Sequence, residues 1–180
     1  MIRRILRFLF GPAFSGEGLP LSLLIRCAFH QKILMNNRQV RWPVHWTSKI
    51  TSPHKIHRGS RYPGLSMGCH IDGRNGIRFG NNVWIGPKCT IISMNHNVQD
   101  FENFIQEGPI VIGDNSWLGA NATILPNVNL GEHTIVAAGA VVTKSFLQGN
   151  IVLAGIPAKI VKHLPPYGQM IENENSDGSK

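Results

Sequence analysis

From Phe79 onward an apolar residue recurs at every sixth position: Phe79, Ile85 and Ile91, then, after an interruption, Ile112, Leu118, Ile124, Leu130, Val136 and Val142. Gly80, Gly86, Gly113, Gly119, Gly131 and Ala137 follow directly, and Val83, Cys89, Ser116, Ala122, Val128, Thr134 and Ala140 hold the fifth slot. A period of six matches neither one face of a helix nor an alternating strand. It fits short strands joined by tight corners, where each wall of a coil sends one apolar side chain inward. Such a fixed period defines a repeat architecture. Corners such as Gly80-Asn81-Asn82 and Gly113-Asp114-Asn115 supply the residues that best tolerate positive φ.

Upstream the repeat is degraded. Val44, Ile50, Ile56 and Tyr62 keep the step of six, but Ile71 and Ile77 are out of register with Phe79, so one register adjustment is expected around Tyr62–Gly73. Nine clean starts amount to about three coils of three hexads each. Between Ile91 and Ile112 lie three hexads plus three residues, and residues 97–109 lose the repeat chemistry, so a loop is expected to leave one corner there. Its Phe101, Phe104 and Ile105 can dock on a neighbouring subunit and wall off a pocket. The expected organisation is a helical capping segment over 1–43, an all-β solenoid over 44–163, and a tail over 164–180. Caps of this kind cover the open sheet edge that a solenoid exposes. Val152–Lys162 is expected to form a final strand with a Gly/Pro turn, and the polar Glu172–Lys180 to be disordered.

The net charge of +8 attracts anions, and a polyanionic small molecule is the most economical partner. No zinc-finger spacing or aromatic RNA motif argues for nucleic acid. Cys27, Cys69 and Cys89 have no metal-ligand spacing, and a reducing compartment is the simplest inference. No apolar run is long enough to cross a bilayer. Met1–Phe10 begins like a signal peptide, but Arg7 interrupts it and Gly11-Pro12 ends it. It reads as a short basic amphipathic helix, suited either to an anionic membrane surface or to packing on the coil or a subunit neighbour. Leu19–Met35 is expected to form a second helix.

Trp117–Pro126, Ala137–Lys144 and Ala154–Lys159 look like successive blocks of the hexapeptide-repeat acyltransferases, in the sugar O-acetyltransferase branch. That branch holds the galactoside and maltose acetyltransferases and the capsule or O-antigen acetyltransferases. The similarity runs from about Ile71 to Lys162. The resemblance implies a left-handed parallel β-helix, a homotrimer, and transfer of acetyl from acetyl-CoA to a saccharide hydroxyl, with no metal. It also implies a cytoplasmic enzyme, which the basic N-terminus can bring to the inner face of the membrane during surface polysaccharide synthesis.

Residue roles follow from the same resemblance. His96, in Ser93-Met94-Asn95-His96-Asn97, holds the place of the general base, a task suited to an imidazole. Asn97 departs from the proline or aspartate often found after that histidine. The partner that orients the ring is open: Asp100, Glu102, Glu107 or a backbone carbonyl. Coenzyme A is expected against Ala120 and Ala138 (pantetheine), Thr143 and Lys144 (adenosine end), and Lys159 and Lys162 (phosphates). Trp117 lines the thioester pocket or packs between subunits. Asn95, Ser66 and Arg74 stand where the acceptor is held; Ser66 and Arg74 replace the Asn and Asp of galactoside enzymes, which points away from a simple galactoside. Two alternatives stay open: a γ-class carbonic anhydrase-like zinc enzyme, although His54, His57 and His133 lack its spacing, and a non-catalytic scaffold.

Overall fold

The computed structural model describes residues 1–15 and 18–169. Glu172–Lys180 lies outside the described residues. The coil is a left-handed parallel β-helix of three walls and about five turns. The first wall stacks Lys49–Thr51, His70–Asp72, Thr90–Ile92, Thr123–Ile124 and Val141–Val142. The second stacks Ile56–His57, Ile77–Phe79, Ile110–Ile112 and Asn129–Leu130. The third stacks Trp84–Ile85, Trp117–Leu118, Thr134–Val136 and Ile151–Gly155, and ends on Ala158–His163.

The hexad positions become vertical ladders. Ile50, Ile71, Ile91, Ile124 and Val142 lie in register up the first wall. Phe79, Ile112 and Leu130 climb the second, and Ile85, Leu118, Val136 and Leu153 the third. Most are fully buried and meet in one continuous core. Each contributes about 1.5–3 kcal/mol of transfer free energy. The count of about five turns exceeds the three read from the clean starts, because the degraded segment before Phe79 also coils.

The register adjustment expected around Tyr62–Gly73 is present: Ile50 and Ile56 pair with Ile71 and Ile77, twenty-one residues on instead of eighteen. Ile77 and Phe79 sit two apart on one strand and are both buried, paired with Ile110 and Ile112. The next step, from Ile71 to Ile91, is twenty residues, two more than three hexads, which accounts for the second inward residue on that strand. The interruption after Ile91 is also resolved. Ile112 occupies the second-wall slot that a strict hexad would give to Asn97, so residues between leave and return at a single corner. That excursion is an antiparallel hairpin pairing His96–Asn97 with Asp100–Phe104. The closing segment is likewise a hairpin of two strands, Ile151–Gly155 with Ala158–His163, turning at a cis Ile156–Pro157 bond. The expectation of one final strand is therefore corrected: the second strand covers the third wall's open edge.

Corners are made by position-specific backbone. Asn82, Asn115 and His133 all take positive φ at the second-to-third corner, and Lys88, Asn121 and Gly139 do so at the third-to-first. Gly119 answers a different need: a Cβ there would lie 2.6 Å from the Ala138 backbone nitrogen in the turn above.

The N-terminal cap comprises α1 (Ile2–Phe10), a 3₁₀ turn at Pro12–Ser15, and α2 (Leu21–Ala28), which continues as a π turn over Phe29–Ile33. Side chains close the lowest edge of the coil. The Ile50 N–H donates to Asn37 Oδ1 at 2.9 Å, and the Val44 N–H to Gln31 Oε1 at 2.9 Å. Gln31, itself buried, donates to the Trp42 carbonyl at 3.0 Å. Otherwise unpaired backbone groups are thus satisfied.

The corner rule yields a test. Asn121→Val, which forces a β-branched residue to φ 58°, should cost about 1–2 kcal/mol in denaturant unfolding, whereas Asn121→Gly should stay within about 1 kcal/mol of the parent.

Candidate functional site

His96 begins the hairpin, where the chain leaves the first wall at the first-to-second corner. Ser93 and Met94 just before it are buried, while Asn95 and His96 are exposed. Its ring makes one hydrogen bond among the described residues. Nδ1 donates to the Phe101 carbonyl at 2.5 Å, since a carbonyl can only accept. This puts the proton on Nδ1 and leaves the Nε2 lone pair free to take another. The orienting group is therefore a backbone carbonyl. Asp100 is engaged in the hairpin turn, accepting from Asn103 Nδ2 at 2.6 Å and from the Glu102 N–H at 3.1 Å.

The opposite flank is built from three side chains in series. The Phe104 ring lies 4.5 Å from the His96 ring, tilted by 41°. The Arg74 guanidinium stacks on Phe104, 4.7 Å from its centroid. Asp72, only 3% exposed, grips Arg74 through Nη2 at 2.7 Å and Nε at 2.9 Å. The Asp72 hydrogen bonds hold the guanidinium pKa above its ordinary value. A planar fork meeting a carboxylate at two nitrogens fixes direction as well as distance. Asn75 adds a further clamp: its Nδ2 donates to the Ile105 carbonyl at 3.0 Å, and the Ile105 N–H donates to the Asn95 carbonyl at 2.9 Å.

Arg74 thus shares the corner with His96 and Asn95, but its charge is matched by Asp72. Ser66 does not join them within one chain. It lies at the third-to-first corner, its hydroxyl donating to the Ile85 carbonyl, in a cleft of about 630 Å³ with Arg61, Tyr62 and Trp84. Within one chain Phe104 packs against His96 and the Ile105 carbonyl accepts from Asn75, while Phe101 and Phe104 remain exposed.

Ala120 and Ala138 come together at the third-to-first corner, one turn apart. The Gly139 N–H donates to the Ala120 carbonyl at 2.8 Å. Below them a Cβ on Gly86 would lie 2.8 Å from the Ala120 nitrogen. The corner is built of small residues whose successive turns pack closely. The backbone N–H groups of Ala120 and Ala138 have no hydrogen-bond acceptor among the described residues. Thr143 and Lys144 are exposed past the end of Val141–Val142, with Lys144 Nζ 5.7 Å above the Phe146 ring. Lys159 and Lys162 pair with Ala154 and Val152, which sets both on the outward face of the top hairpin.

Sequence reasoning missed Trp84, Asp72 and Asn75. Trp84, Trp117, Ile135, Val152 and Lys162 are consecutive cross-strand partners up the outside of the third wall. Both tryptophans are exposed, at 53% and 54%. The available signal was that each tryptophan immediately precedes a hexad residue, Ile85 or Leu118. Asn75 had none, because its partner Ile105 is remote in sequence, whereas Asp72 stands two residues from its partner Arg74, a spacing visible in the sequence. Burial pushes the Cys27 thiol to about 11 and Cys89 to about 12, so neither is a nucleophile near neutrality. Among the described residues no three His, Cys, Asp or Glu side chains gather as a metal ion would require.

Residues 109–144 match the family model described as bacterial transferase hexapeptide (six repeats). Over 91 residues the chain is 32% identical to the galactoside O-acetyltransferase of Escherichia coli K12, covering 49% of this chain and 44% of that enzyme. The chain spans about half the length of the curated relatives it matches. A maltose O-acetyltransferase from Clostridium difficile 630 superposes with a TM-score of 0.55 at 26% identity, over 66% of this chain and 64% of that one. A hexapeptide-repeat acetyltransferase from Vibrio cholerae, crystallised with acetyl coenzyme A, has a TM-score of 0.54 at 22% identity over 90% and 88% of the two chains, a likeness of fold. The resemblance to the hexapeptide-repeat acyltransferases is borne out.

The clamp on the hairpin is testable without any assay of activity. Arg74→Ala should speed amide exchange across Asp100–Phe104 while the three-wall ladders stay protected, and should cost about 1–3 kcal/mol by stranding the buried Asp72 carboxylate.

Proposed function

We propose that this hexapeptide-repeat chain transfers an acetyl group from acetyl-CoA to a hydroxyl of a saccharide, with His96 as general base. The observation that carries the reading is the hydrogen bonding of His96, an exposed residue: Nδ1 is tied to the Phe101 carbonyl, and Nε2 has no partner among the described residues. An acceptor hydroxyl becomes a competent nucleophile as its proton passes to Nε2. Its oxygen bonds to the thioester carbonyl carbon. The unpaired N–H groups of Ala120 and Ala138 are suited to the oxyanion that forms. As the C–S bond breaks, the imidazolium returns the proton to the departing sulfur, leaving an O-acetyl ester and the free thiol. No step needs a covalent enzyme intermediate.

The donor side supports this chemistry. Ala120 and Ala138, half-buried and exposed respectively, keep this corner without large side chains, an open-sided channel along which a slender pantetheine arm can lie. Lys159 and Lys162 supply point charges for phosphates, and Thr143 and Lys144 an adenosine-end contact. On the acceptor side Asn95 borders the base, and Ser66 lies in the cleft beside Trp84. Because Asp72 neutralises Arg74, Arg74 is better suited to shaping the acceptor wall than to attracting an anion.

The base and the small-residue channel lie at opposite edges of the first wall, separated by roughly 15 Å of strand. One chain therefore does not complete a site. A closed ring of three copies sets the His96 corner of one against the Ala138 corner of the next.

His96→Ala should lower kcat/KM for acetyl transfer by about 10²–10⁴-fold with coenzyme A affinity retained in calorimetry; unchanged turnover would end this assignment. Co-refolding His96→Ala with Ala138→Trp, each inactive alone, should restore partial activity because mixed rings contain intact sites. Continued inactivity in verified mixed rings would place base and channel in one chain.

A further inference from the structure

Helix α1 uses only one edge of its apolar side to join the protein. Leu6 is buried with Phe14, Leu24 and Ala28, and Phe10 packs against this cluster. Arg3 ties the helix down from the polar side, donating from Nη1 to the Ser15 carbonyl at 2.8 Å. Met1, Ile2, Ile5, Phe8 and Leu9 are exposed, Phe8 at 88% and Met1 at 96%. At 3.6 residues per turn these five fall within an arc of about 120°. The core therefore does not account for this face. Ten of the twenty exposed large apolar residues among the described positions lie at or before Met35.

Charge is concentrated in the same place. Residues 1–43 hold seven Lys and Arg against one acidic residue, Glu17, so this quarter of the chain carries +6 of the net +8. Arg4 borders the exposed apolar arc and lines a groove with Met1, Ile5, Phe8 and Leu9. Leu9 in turn adjoins Lys32 and Arg41. No helix of the described residues is long and apolar enough to cross a membrane.

The geometry points to an occupant: the outward face of α1 docks on an anionic phospholipid surface, with Ile5, Phe8 and Leu9 at the acyl boundary and Arg4 and its basic neighbours among the headgroups. Burial of a short apolar arc together with attraction of several cations is the combination that holds a helix in the plane of a charged interface. A second copy of the chain is a poorer occupant, since self-pairing would bring like-charged arginine borders together. The inference goes beyond acetyl transfer and does not depend on it.

Cosedimentation with vesicles of phosphatidylcholine, with and without phosphatidylglycerol, tests it on the full chain. The protein should pellet with the anionic vesicles only and be released by salt. Arg4→Gln should weaken partition about fivefold and Phe8→Ser more than about tenfold. Leu147→Ser, at an exposed corner of the coil, should leave it unchanged. Thermal unfolding should be the same for all three variants, which alter exposed side chains. Equal pelleting with both vesicle types, or none with either, would overturn the proposal. So would a Phe8→Ser variant that changes sedimentation mass while vesicle binding persists.

Discussion

Every part of this molecule depends on the vertical stacking of inward aliphatic side chains, one per wall per turn. Ile91, Ile124 and Val142 lie in register one above another and share one buried core with the other two walls, so each turn is stable because its neighbours are present. The constraint passes outward to the corners. A wall of fixed length must turn within about three residues, which forces positive φ at Asn121 and Gly139 and removes the side chain at Gly119. The run of small residues at this corner is thus a consequence of stacking.

Against this rigid prism, the hairpin at His96 is the departure. A projecting pair of short strands has few contacts of its own and needs anchoring. The anchoring comes from the turn below, through Asp72, Arg74 and Phe104, with Asn75 holding Ile105. The buried carboxylate is tolerable because the guanidinium meets it at two nitrogens. The imidazole is therefore held between a carbonyl on one side and an aromatic face on the other, while one nitrogen remains open.

The two ends of the coil are closed by different means. At the bottom, side-chain amides of Gln31 and Asn37 take the edge hydrogen bonds, and the helices above them present an unmatched apolar and basic face. At the top, the third wall folds a strand back on itself, which places Lys159 and Lys162 outward beside the aromatic ladder. Edge protection and charge placement are achieved by the same elements.

The six-residue period alone determined the architecture, the burial of nearly every hexad residue, and the position of the corner where the chain departs. Those are consequences of local spacing, and spacing is visible in one dimension. It also located His96, through a resemblance carried by neighbouring motifs. The Phe101 carbonyl as the ring's partner, the Asp72–Arg74–Phe104 series and the shared strand of Ile77 and Phe79 were decided only in three dimensions. The same holds for the outward face of α1: a pattern shows that a helix has an apolar side, but only packing determines how much of that side the core consumes. Contacts between residues a full turn apart depend on which turn lies above which, and that order exists only once the chain has coiled.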